Sequence, residues 1–261
     1  MDILNSSSSK NLTQSRYRHL MQDLNALLPH SKKDAKLDSK ARLEDINEVA
    51  ELNNCNNCLY FETRKHQDMY MWMAKTPNGP SAKFAVKNIH TMDELKLTGN
   101  CLKGSRPILS FDAAFQGEPY LQLLKEMFTQ IYSVPTSSRK IKPFIDHVMS
   151  FSVVDNKIWI RNYQINEEKD AALLEKKQVD PITLVEIGPR FVLELIRIFD
   201  GSFAGSTLYE NPNYVTPNNE RRLLKGKKAI KHVSRIQGKL KRLEKMDDAV
   251  LERNPVDAIF D

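Results

Sequence analysis

Two stretches rich in aromatic and β-branched residues, Cys58 to His90 and Val148 to Tyr163, are each cut into strand-length runs by turn residues, and such a chain must assemble a sheet. The first stretch yields Leu59 to Thr63, Met69 to Met73 and Ala82 to Val86. Lys65 to Asp68 is a polar turn, and Thr76, Pro77, Asn78, Gly79 and Pro80 concentrate turn signals before the third run. In the second stretch, Val148 to Val153 and Ile158 to Tyr163 flank Asp155 and Asn156, a pair that tolerates the positive φ of a tight hairpin. Leu109 to Phe111 and Leu184 to Ile187 add short strands.

Helical spacing occupies the gaps. Leu20, Leu24 and Leu27 fall at i, i+4 and i+7 between Ser15 and Leu28, and Pro29 closes the helix. A second helix is expected from Asp38, which can cap its first turn, with Leu43, Ile46 and Ala50 on one face. Two helices therefore precede the first sheet. Thr91 and Glu94 have capping-box spacing, and Pro119 suits the first turn of a helix carrying Leu121, Leu124, Phe128 and Ile131. Gly188 and Pro189 read as the start of another, with Phe191, Val192, Leu195, Ile196 and Phe199. Glu167 to Asp180 is charged and has no obvious apolar face, so it reads as a loop or insertion with an embedded helical turn, and Asp200 to Pro217 reads as extended.

The result is an α/β (α+β) chain. Residues 1–14 are expected to form a flexible polar terminus and residues 15–220 the domain, with approximate halves 15–108 and 109–220. The similar halves suggest a pseudo-duplicated module, although no residue-level repeat accompanies them. Residues 221–261 are expected to be a basic helix or arm followed by an acidic tail.

Charge is distributed very unevenly. Of the net +6, Arg221 to Lys245 carries eleven Lys or Arg against one acid, Glu244, while Met246 to Asp261 carries −4 and Met1 to Glu220 is close to neutral. A neutral body with a concentrated cationic extension suits a polyanion, because Lys and Arg release counterions condensed on phosphates. A solvated helix face is the competing reading. No apolar run reaches the roughly 18 to 20 residues of a membrane span, and Met1 to Lys10 lacks a signal-peptide core, so an intracellular protein with no membrane partner is expected. Three cysteines in a long chain suit reduced thiols.

Catalytic signatures are sparse. Cys55 and Cys58 have the spacing of half a zinc site, but no second pair follows, so small residues at the start of a strand are the better reading and no metal or cofactor is expected. Cys101 and His147 could make a nucleophile and base, yet no motif joins them. Neither a P-loop nor a dinucleotide fingerprint is present. An enzyme is not expected.

Two further segments can meet phosphate. Lys103, Gly104, Ser105 and Arg106 set donors around a glycine that permits close backbone approach, although an ordinary basic loop fits equally. Arg190, after Gly188 and Pro189, falls in an expected first helical turn that disfavours a cation, so it needs RNA phosphate or an internal carboxylate such as Glu186, with the internal partner favoured. The candidate RNA-binding set is Lys103, Ser105, Arg106, Arg190, Arg221, Arg222, Lys225, Lys227, Lys228, Lys231, Arg235 and Lys239. Trp72, Trp159, Tyr70 and Tyr163 could stack on bases, but their apolar strand neighbours favour packing within the sheet.

Leu28 to Ser31 (Leu-Pro-His-Ser), Asp68 to Met73, Gly79 to Phe84 (Gly-Pro-Ser-Ala-Lys-Phe), Leu95 to Ser110 and Glu186 to Leu195 (with Ile-Gly-Pro-Arg-Phe-Val-Leu) resemble the Brix-domain family over about Leu27 to Arg222. The resemblance implies two α/β halves related to the anticodon-binding fold, residence in the nucleus and nucleolus, and non-catalytic maturation of large-subunit pre-rRNA. It also implies as partners a homologue of the EBNA-binding protein, other pre-60S assembly factors and ribosomal proteins. A small-subunit processome factor and an RNA-processing enzyme are the alternatives. The charged segment Glu168 to Asp180 departs from the family pattern.

Overall fold

The computed structural model describes residues 2–6, 12–36, 42–65, 67–95, 99, 101, 104–135, 141–142, 144–167 and 182–248. Two compact units are present, residues 1–214 and 215–261.

In the first unit the described strands form one 11-stranded sheet. β1 (Asp2–Ser6) pairs parallel with β3 (Asn57–Arg64), β3 antiparallel with β4 (Asp68–Lys75), and β4 antiparallel with β5 (Ser81–His90). β6 (Pro107–Phe111) pairs parallel with β7 (His147–Val154), β7 antiparallel with β8 (Lys157–Glu167), and β8 antiparallel with β10 (Arg190–Phe199). Antiparallel pairing of β5 with β10 joins the two series. They follow the same order of pairings outward from that seam, with no residue-level repeat behind it. β2 (Lys32–Lys36), β9 (Ile182–Glu186) and β11 (Thr207–Glu210) flank β1, β8 and β10.

Alternation of side chains along each strand gives the sheet two faces. Onto one pack α1 (Leu12–Leu27) and α4 (Pro119–Tyr132), whose Leu20, Leu24, Leu124, Phe128 and Ile131 join Met71, Phe84, Phe151, Ile160 and Leu193 in the main core. Onto the other face, at its β3–β4 end, α2 (Asp45–Leu52) brings Ile46 against Cys58, Tyr60, Trp72 and Phe203. Asp155 and Asn156 have φ of 53° and 56°, as the hairpin requires. α3 (Met92–Leu95) is anchored where the backbone N–H of Met92 donates to the Asp23 carboxylate at 2.8 Å.

Three expectations need correction. The run Phe191 to Phe199 is a strand, not a helix: Phe191 to Leu195 are buried on both sheet faces, and burial on both faces erases the alternation that marks a strand. Asp2–Ser6, expected to be flexible, is β1, and β2 also precedes the hydrophobic strands. Both pair through backbone hydrogen bonds at the sheet margin, where a lysine-rich edge strand such as Lys-Lys-Asp-Ala-Lys needs no apolar signature. α2 starts at Asp45, and Asp38, its expected cap, lies outside the described residues, as does 168–181.

The turn before β5 gives a test. Gly79 has φ +89°, and a Cβ there would collide with the Asp200 carbonyl and the Gly201 backbone. Gly79→Ala is expected to lower unfolding free energy by roughly 1–3 kcal/mol or more, through φ strain and backbone displacement. Urea denaturation measures it, and an unchanged midpoint would show that the turn relaxes freely.

Candidate nucleic-acid interface

The second unit is dominated by α5 (Pro217–Asp248). Its composition is rich in Lys, Arg and Leu, all good helix formers, and Pro217 opens its first turn. Glu220 in the first turn and Lys245 in the last both complement the helix dipole. At about 1.5 Å per residue the helix runs about 48 Å. Successive residues turn by about 100°, which gathers Lys227, Lys228, Lys231, Arg235, Lys239, Arg242 and Lys245 on one side, while Ile230, Val233, Ile236, Leu240 and Leu243 take the other and Lys225 stands at the border. Arg222, Lys225, Lys227, Lys228, Lys231, Arg235 and Lys239 are all exposed, so their charges can meet phosphate with little further desolvation. Arg221 is half-buried and donates to Asn218 Oδ1 at 2.9 Å.

The Lys103–Arg106 loop divides. Lys103 lies outside the described residues. Gly104 has φ +86°, its carbonyl accepts from the Lys142 backbone N–H at 2.8 Å, and the Arg106 N–H donates to Phe144 at 2.9 Å. Lys142, exposed, is a cation that sequence reading missed, since only the fold brings it beside the glycine. Ser105 faces inward, 1% exposed, with its hydroxyl 3.1 Å from His147 Nδ1. Arg106 is half-buried.

Arg190 heads β10 rather than a helix, so the dipole objection to a cation there disappears. Its guanidinium reaches Glu186 at 3.4 Å, the internal partner. Gly188, with φ +73°, passes against Leu95, and the buried Asn162 amide donates to its carbonyl at 3.1 Å. The Gly-Pro-Arg segment thus ties β8, β10 and α3 together.

The four aromatics part company. Trp72 is buried and stacks on Phe199, centroids 5.7 Å apart, and Tyr70 is buried beneath Arg64 and Lys83. Trp159 and Tyr163 are half-buried on the face of β8 turned away from the main core, with Arg161 between them. Directly opposite on β7 stand Ser152, Ser150 and Val148, and next on β6 the exposed Ser110 and Ile108. The Arg161 guanidinium lies 5.5 Å from the Trp159 ring centre, and a hydrogen bond to Tyr163 raises its pKa further. Aromatic faces, a cation and hydroxyls on one sheet surface are the elements of a base-stacking platform. The signal in sequence was the i, i+2, i+4 spacing of Trp159, Arg161 and Tyr163.

The catalytic candidates have other roles here. His147 Nδ1 lies 2.8 Å from Asp146 Oδ1 as well as near Ser105, so one nitrogen meets both neighbours, unlike a relay with one partner at each ring nitrogen. Burial, with Asp146 nearby, pushes the Cys101 thiol up to about 11, which keeps it protonated at neutral pH. Cys55 and Cys58 are both buried, Cys58 in the smaller core.

Comparison with known proteins bears on the whole chain. The Brix domain pattern matches residues 10–197. The chain is 54% identical to "Ribosome biogenesis protein BRX1" of Saccharomyces cerevisiae, with 94% of this chain and 85% of that protein aligned. It is also 54% identical to "Ribosome biogenesis protein BRX1 homolog" of Homo sapiens, over 94% of this chain and 67% of that one. A crystal structure of a probable ribosomal biogenesis protein from Aeropyrum pernix K1 aligns with a TM-score of 0.45 at 11% identity, covering 74% of this chain and 94% of that one.

Proposed function

The chain belongs to the Brix domain family, and we propose on that footing that it is a non-enzymatic ribosome biogenesis factor that binds precursor rRNA and scaffolds the large subunit. The observation that carries the RNA-binding part is the exposed cationic face of α5. Phosphates are met by Arg222, Lys225, Lys227, Lys228, Lys231, Arg235 and Lys239, with Arg221 able to join by releasing Asn218. In the first unit Lys103, Arg106 and Lys142 supply a smaller cationic contact. Ser105 and Arg190 act indirectly, through His147 and Glu186, by fixing the backbone of those segments. Phosphate contacts of this kind position RNA without reading sequence, and selectivity comes from RNA shape and unpaired bases. The factor works in the nucleolus, beside a homologue of the EBNA-binding protein and other pre-60S components.

Ultraviolet crosslinking of tagged protein in cells, with sequencing of the attached RNA and mapping of crosslinked peptides, tests this reading. Large-subunit precursor RNA joined to peptides from α5 is the expected result. Crosslinks concentrated in small-subunit precursors would move the factor to the other particle, and absence of specific RNA would overturn RNA binding.

Single-strand stacking on β8 has its own test. Trp159→Ala is expected to weaken binding of an unpaired oligoribonucleotide by about 1–3 kcal/mol, the range for one base–aromatic stack. Trp72→Ala is expected to destabilise folding instead, because Trp72 belongs to the smaller core. Equal RNA affinity for Trp159→Ala and wild type would remove the platform.

A further inference from the structure

The side of α5 opposite its lysines is as regular as the cationic side. Ala229, Val233, Ile236, Leu240 and Leu243 recur at spacings of 4, 3, 4 and 3, the seam pattern of a helix that packs along another helix. Val233, Ile236, Leu240 and Leu243 are 51%, 44%, 53% and 57% exposed. One heptad position before Ala229, at the same seam, stands Gly226. A glycine inside a helix costs about 1 kcal/mol relative to alanine, and among the described residues nothing lies within 4 Å of where a Cβ on Gly226 would sit, as is also true of Gly238 off the seam. Gly226 lies at the floor of an open recess lined by Val215, Asn219, Leu223 and Ile230, with the cations Arg222 and Lys227 at its sides.

We propose that the Gly226 to Leu243 seam of α5 docks an amphipathic helix of a second, acidic protein, while Lys228, Lys231 and Arg235, away from the seam, stay turned to RNA. Charge complementarity selects the occupant. Lys225 and Lys239 border one edge of the seam, so glutamates or aspartates on that side of the partner meet opposite charge, while Ile230, Gln237 and Glu244 line the other edge with Lys241 beyond them. A second copy of this chain would instead set two +10 stretches side by side, which is electrostatically unfavourable. The inference rests on the RNA reading only in assigning the opposite face to phosphates.

The test uses the full chain and a synthetic helical peptide with Leu and Ile at its seam positions and Glu at the flanking ones, followed by fluorescence anisotropy. A peptide of the same composition in scrambled order is the control. The expected result is binding at least roughly tenfold tighter for the ordered peptide, lost in Val233→Gln/Leu240→Gln and equally in Ile236→Gln/Leu243→Gln. Glutamine keeps both charge and helix propensity, which circular dichroism verifies, so these variants leave the RNA titration unchanged. Lys228→Gln/Lys231→Gln is expected to do the reverse, losing RNA affinity and keeping the peptide. Should the wild-type chain fail to bind RNA while it still discriminates the ordered peptide, the RNA reading falls and the seam stands. Equal binding of ordered and scrambled peptides would overturn the proposal, leaving charge attraction alone. Concentration-dependent dimers or adsorption to anionic phospholipid vesicles, abolished by the same seam substitutions, would overturn it too.

Discussion

Changing Lys225, Lys227, Lys228 and Lys231 to glutamine is expected to lower affinity for precursor rRNA fragments by roughly two orders of magnitude at about 0.15 M salt, and to flatten the salt dependence. The four side chains are exposed on one side of α5, so each can neutralise its own phosphate. For single-stranded RNA each contact contributes about 0.7 to the slope of log affinity against log salt, and four lost contacts reduce it by about 3. Glutamine is a good helix former, so the loss reports charge rather than unfolding. Titrations at several salt concentrations, wild type beside variant, provide the measurement. An unchanged slope would mean that α5 is only a solvated helix and that RNA is held elsewhere.

Phe128→Ala is expected to reduce unfolding free energy by about 3–5 kcal/mol, a large part of the roughly 5–15 kcal/mol that holds a typical domain together. Phe128 is fully buried on α4, with its ring centre 5.2 Å from Phe151 and 6.2 Å from both Phe84 and Tyr132. Phe84 lies in the β3–β5 series and Phe151 in the β6–β10 series, so the truncation opens a cavity where the two halves of the sheet share one core. Chemical denaturation followed by tryptophan fluorescence reads the change. A loss under about 1 kcal/mol would mean that the aromatic cluster closes around the gap.

Much of the candidate interface was legible because α5 is both highly charged and helical by composition. Once the spacing of Lys225, Lys228, Lys231, Arg235 and Lys239 is wound at 100° per residue, the cationic face follows without tertiary information. The loop at Lys103 to Arg106 was legible only as a set of donors. That Ser105 turns inward to His147, and that Lys142 joins Gly104, depends on segments about forty residues apart in sequence being brought together.

The same division runs through the fold. Local sequence determined α1, α4, the hairpin at Asp155 and Asn156, and the strands β3 to β5, because each writes its own periodicity or turn chemistry into adjacent residues. Tertiary structure alone decided that Phe191 to Phe199 is a strand, since a run buried from both sides carries no period, and that β1 and β2 exist, since strands at the sheet margin are held by backbone hydrogen bonds. It also decided which tryptophan is available. Trp72 and Trp159 sit in equally strand-like sequences, and they differ because Phe199 and Phe203 cover the sheet face at Trp72, whereas Trp159 shares its surface with Arg161 and the serines of β7. Burial is a property of what packs on top, and that is contributed by residues far along the chain.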